Sequence, residues 1–140
     1  MLSYEAVKND FASAGVAFDD CELDGEKVII IDIPLRENPI DVKIGIRFEE
    51  KTSICNIYTI ELAKVEFESK QYYQMLALAN KFNLATNYVK MYVKEDGSLW
   101  SQLTLDMGRF DVIDLRMNIA TILDIIDTKY ISDIMKIRWA

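Results

Sequence analysis

Carboxylates recur in close pairs in this sequence, among them Asp19-Asp20, Glu49-Glu50, and Glu66 with Glu68. Two carboxyls converging in a cleft can divide the acid and base roles of a hydrolysis. Each of these doublets falls at a strand end or a turn, where charge is ordinarily solvated, so they read as surface. Histidine is absent, which removes the commonest general base, zinc ligand and pH switch together. Cys21 and Cys55 stand in no CxxC motif and have no imidazole to activate them. They read as two reduced, small, semi-apolar residues. Metal chemistry is left to carboxylates alone, and no loop carries the alternating Asp/Asn spacing of a calcium site. The five glycines are isolated and make no phosphate-cradling loop. The sequence assigns no catalytic residue, no metal ligand and no cofactor.

A different chemistry is suggested by Tyr88, Lys90, Tyr92 and Trp100, an aromatic and basic set of the kind on which single-stranded nucleic acid stacks. The charge balance opposes that use. The chain carries a net −7, and residues 1–70 hold 15 Asp/Glu against 8 Lys/Arg while residues 71–140 hold 8 against 8. Such a field repels nucleic acid and anionic lipid. Aromatics in that setting are expected to be covered by protein, either another element or a second copy of the chain.

The frame that must position these groups is one domain over residues 1–140, large enough for a sizeable core, with 51% hydrophobic and 28% charged residues. No apolar run reaches the roughly 20 residues of a membrane-spanning helix. Glu5, Lys8 and Asp10 near the start are unlike a signal peptide, so the expected location is cytoplasmic.

Periodicity supplies the elements. Leu2 to Ala14 repeats apolar residues at three-to-four spacing, with Ser3 as a candidate N-cap and Gly15 at the end. Asp24-Gly25 predicts a hairpin between 17–23 and 26–35. Ile40 to Glu49 alternates strictly, its even positions apolar. Ile54 to Ala63 returns with Ile54, Tyr58, Ile60 and Leu62 on one face, and Cys55 and Ile57 suggest that the other face is covered too. Ser69 starts a helix whose stripe is Tyr72, Leu76, Ala79 and Phe82, with Met75 alongside, ending near Asn83. A hairpin follows. A three-residue loop, Glu95-Asp96-Gly97 with Gly97 left-handed, pairs Val93 with Leu99 and Val89 with Leu103 and keeps one face apolar. Asp111, flanked by Phe110 and Leu115, caps a long last helix from Val112 towards Arg138, with Asp114 favourable to its dipole. Its stripe is Leu115, Ile119, Ile122, Ile126 and Tyr130, and its end, with Ile134 and Trp139, is a candidate contact surface.

The order is helix, three or four strands, helix, two strands, helix. With the stretch Leu78, Ala79, Asn80, Asn83, then Tyr92-Val93-Lys94-Glu95-Asp96-Gly97-Ser98-Leu99 and the Leu103/Leu105 strand, it resembles the YbjN-type domain. The run from Phe11 to Asp32 is similar to the start of class I type III secretion chaperones, which share that fold. The resemblance implies an α+β domain with an antiparallel sheet of about five strands backed by helices, often dimeric. It implies a non-enzymatic function in which a partner polypeptide is held or regulation is tuned, and it carries over no catalytic residue. The expectation is a homodimeric protein-binding module whose candidate contact surface is Tyr88, Tyr92 and Trp100 or the end of the terminal helix with Ile134 and Trp139. The alternative is a holdase for an exported or aggregation-prone client, ahead of a carboxylate enzyme. The protein partner is unidentified, and neither nucleic acid nor membrane is expected.

Overall fold

The structure is a computed structural model that describes residues 1–139. It is an α+β fold: one antiparallel sheet of six strands in the order β1-β2-β3-β4-β6-β5, with the helices packed on one face. The order matches the expected one, with a sixth strand in the sheet. Helix α1 (Tyr4–Ser13) begins where the Ser3 hydroxyl accepts from the Ala6 amide, and Gly15 follows it at φ +72°. Strands β1 (Asp19–Leu23) and β2 (Glu26–Pro34) are joined at Asp24-Gly25. Both turn residues have positive φ, 52° and 79°, as the twist of a tight hairpin demands.

Strand β3 (Asp41–Glu49) buries Val42, Ile44, Ile46 and Phe48, its even positions. Strand β4 (Ile54–Lys64) corrects the expectation about its faces. Register against β3 sets Cys55 opposite Phe48, Ile57 opposite Ile46 and Thr59 opposite Ile44, so the odd positions meet the helices. Ile54, Tyr58 and Ile60 point outward and are half-buried. The core tolerates Thr59 because its hydroxyl accepts from the Ser101 amide at 3.0 Å and bonds the Ser101 hydroxyl at 2.5 Å.

Helix α2 (Lys70–Ala85) is capped by the Ser69 hydroxyl and buries Met75, Leu78, Ala79 and Phe82. The buried stripe is therefore rotated from the expected one, and Leu76 is left exposed. The helix runs past Asn83, whose amide works sideways. It accepts from the Met91 amide at 2.7 Å and donates to the Met91 carbonyl at 2.9 Å. Strands β5 (Val89–Val93) and β6 (Ser98–Asp106) form the expected hairpin, Val89 facing Leu103 and Val93 facing Leu99. Because β5 lies at the sheet edge, Asn83 supplies the pairing a further strand would give, and the Thr86 hydroxyl donates to the Val89 carbonyl. The opposite edge, β1, is exposed along its whole length.

The last helix spans the expected range but contains a π turn. Helix α3 (Val112–Ile125) starts with a reciprocal Asp111–Asp114 capping box, the π turn covers Ile126–Tyr130, and α4 (Ile131–Arg138) follows. The turn presents Asp127, 6% exposed, to the β2–β3 link. Its carboxylate accepts from the amides of Arg36 (2.9 Å) and Glu37 (2.8 Å) and from the Asn38 side chain (2.6 Å). Burial alone works to raise its pKa, but the bonds from Asn38 and the backbone outweigh it and hold the carboxyl below its ordinary 3.8. A depressed carboxylate stabilises the fold above its unfolded pKa and loses that contribution as pH falls through the folded value. Asp127→Asn should therefore lower the melting temperature at pH 7 by roughly 5 °C. The gap to the unmodified protein should close below pH 3.8, as thermal melts across an acid series would show.

Candidate interaction face of the sheet

With the helices all on one side, alternation along each strand decides what the other side carries. Cross-strand partners run straight over all six strands: Asp19, Ile30, Gly45, Tyr58, Gln102, Lys90. A neighbouring row is Cys21, Val28, Arg47, Asn56, Thr104. No described helix crosses this face. Its centre is small and apolar, since an added Cβ on Gly45 would lie 2.9 Å from the Ile60 side chain, which folds over it.

Around that centre lies a polar and aromatic network. The Trp100 ring meets Tyr58 edge to face at 6.2 Å, and the Lys94 ammonium sits 3.5 Å from its centroid, a cation over a π face. The Trp100 indole donates to the Ser98 hydroxyl at 2.8 Å, and Ser98 in turn bonds Asp96. Those bonds from Ser98 hold the Asp96 carboxyl below its usual value. Asn56 accepts from Gln102 and Thr104 and donates to Glu49. Arg47 binds Glu26 through Nε at 2.6 Å, and Lys43 reaches Asp32 at 3.2 Å. Burial raises the phenols of Tyr58 and Tyr92, so both rings are partly withdrawn from water.

Of the expected contact residues, Tyr92 and Trp100 share this face and are half-buried, while Tyr88, 50% exposed, sits in the bend just before β5. Ile134 does not belong there. It is fully buried in the core beneath α4, so it corrects to a packing residue. Trp139 is 75% exposed, with the Arg138 guanidinium 5.2 Å from its ring, but it belongs to the helix layer. The two alternative contact surfaces thus lie on different layers of the fold.

The acidic doublets do not converge. Asp19 and Asp20 point to opposite faces of β1, and Asp20 is engaged by the Tyr4 hydroxyl at 2.6 Å and by Lys8 at 3.4 Å. The hydroxyl bond from Tyr4, against the opposing effect of burial, lowers the Asp20 carboxyl. The same cluster places the Lys8 and Lys27 ammoniums each 5.6 Å from the Tyr4 ring, fastening α1 to the sheet margin. Glu50, Glu66 and Glu68 are exposed. Cys21 is exposed on β1, and burial pushes the Cys55 thiol up to about 12. Sequence reasoning missed Tyr4 and Asp127, and nothing in their local sequence marks them. Among the described residues no group of three or more acidic, cysteine or histidine side chains could hold a metal ion, and no helix is long and apolar enough to cross a membrane. No family model matches the chain, and no curated protein matches it either.

Proposed function

We propose that this chain is a non-enzymatic, cytoplasmic protein-binding module that works as a homodimer through the helix-free face of its sheet. One observation carries the reading. A face bearing Ile30, Tyr58, Ile60, Tyr92 and Trp100, all half-buried, has no described element over it. Apolar surface of that extent ordinarily marks a protein contact, and aromatic side chains are the residues from which such contacts draw most of their energy.

Light scattering over a protein-concentration series tests it. The chain should have twice its monomer mass at micromolar concentration, and the double substitution Tyr88→Ser with Tyr92→Ser should shift it to monomer. Tyr92 lies on the outer side of edge strand β5 and Tyr88 is an exposed residue just before it, so the variant should lose only about 1 kcal/mol of cross-strand contact and stay folded. A monomeric parent protein, or a variant of unchanged mass, overturns the reading.

A further inference from the structure

The face is electrically lopsided as well as apolar. Towards β1 and β2 it presents Asp19, Glu26 and Asp32, while towards β5 and β6 it presents Lys90 and Lys94 together with Asp96 at the hairpin tip and Asp106 at the far end of β6. Glu26 and Asp32 are already answered by Arg47 and Lys43, and Lys94 lies over Trp100 within the field of Asp96. The two ends of the central row are different. Asp19 and Lys90 are exposed, and neither has an ion pair among the described residues. The row thus runs from an unpaired acid, through Ile30, Gly45, Tyr58 and Gln102, to an unpaired cation.

We propose that this face stacks on the same face of a second copy about a two-fold axis parallel to the strands, setting Asp19 of each copy over Lys90 of the other. The inference rests on the homodimer reading and adds its geometry. A two-fold across the strands would instead lay β1 on β1, bringing Asp19 against Asp19 and Lys90 against Lys90. A net charge of −7 makes most surfaces of this chain repel a second copy. Here the acidic and basic ends answer each other once the strand order is reversed. The small centre at Gly45 allows the sheets to approach to the usual spacing of about 10 Å. Five inter-strand steps of about 4.8 Å and a nine-residue β3 give a face of roughly 24 by 30 Å. Two such faces bury about 1,400 Å², within the range of specific interfaces.

Charge exchange tests the arrangement. Asp19→Lys alone and Lys90→Glu alone each turn two attractions into two repulsions and should raise the dimer Kd about tenfold or more in sedimentation equilibrium. Combining both substitutions in one chain, or mixing the two single variants in equal amounts, should restore the parent affinity. Both sites are exposed, so at concentrations below the dimer Kd the melting temperatures should match the parent's, which separates loss of contact from loss of fold. A parent dimer whose single variants keep its Kd overturns this geometry and leaves the homodimer reading standing, with the contact elsewhere. Weakened single variants that neither combination restores overturn the Asp19–Lys90 pairing. A parent chain that is monomeric throughout the series overturns the homodimer reading and this geometry with it.

Discussion

Replacing Ile134 by glutamate is expected to unfold the domain. The side chain is fully buried, within the cluster that joins α4 to the core face of the sheet. Removing the isoleucine forfeits about 1.5–3 kcal/mol of apolar burial. An unpaired carboxylate there adds several kcal/mol of desolvation or, once protonated, an unsatisfied polar group. Together these approach the 5–15 kcal/mol that holds an ordinary domain folded. Far-ultraviolet circular dichroism should show a collapsed melting transition, and the yield of folded protein should fall. Trp139→Glu, at a site 75% exposed, should melt within about 0.5 kcal/mol of the parent. A native melt for Ile134→Glu would sink the placement of α4. The contrast also bears on association experiments: monomer produced by Ile134→Glu reports a broken core, whatever the true contact surface.

Gly97→Ala should be the costliest of the glycine replacements. An added Cβ would stand 1.8 Å from the Val65 carbonyl oxygen and 2.9 Å from its carbon, at φ +85°. Those are backbone atoms, and the Val65 amide donates back to the Gly97 carbonyl at 3.0 Å. Neither strand can retreat without breaking the stitch between the hairpin tip and the end of β4. A loss of about 2–4 kcal/mol is expected, from the left-handed backbone and the clash together. Gly25→Ala meets open space at φ +79° and should cost only the backbone term, about 1–2 kcal/mol. Gly45→Ala touches the far end of the Ile60 side chain, which can swing aside, so it should cost least. Urea unfolding midpoints rank the three, and equal midpoints for Gly97→Ala and Gly25→Ala would show that the tip relaxes.

What could be read from the sequence was whatever a few consecutive residues decide. Ser3, Ser69 and Asp111 with Asp114 cap their helices as expected. Asp24-Gly25 turns a hairpin, and the loop before Ser98 has the length that keeps Val89 and Leu103 on one face. From these the α+β order follows. The misses depend on partners far away in the chain. Thr59 looks out of place on a buried face until Ser101 is set beside it. Asp127 looks like helix surface until the amides of Arg36 and Glu37 are brought to it. Ile134 and Trp139 are alike as apolar residues near a helix end, and only the position of α2 and β4 against α4 separates them. The aromatic face was legible because period-two alternation needs no tertiary knowledge.

The sheet order has a consequence for biosynthesis. Strands β1 to β4 leave the ribosome as a consecutive meander, but β4 finds its second neighbour, β6, only beyond α2. Until then β4 is a bare edge, and although Tyr4 of α1 already meets Phe48, the contact of α4 with β4 has still to form. A nascent chain arrested before β6 would leave part of the future core exposed to water. The domain is therefore expected to fold as one unit once β6 and the helices after it have been made.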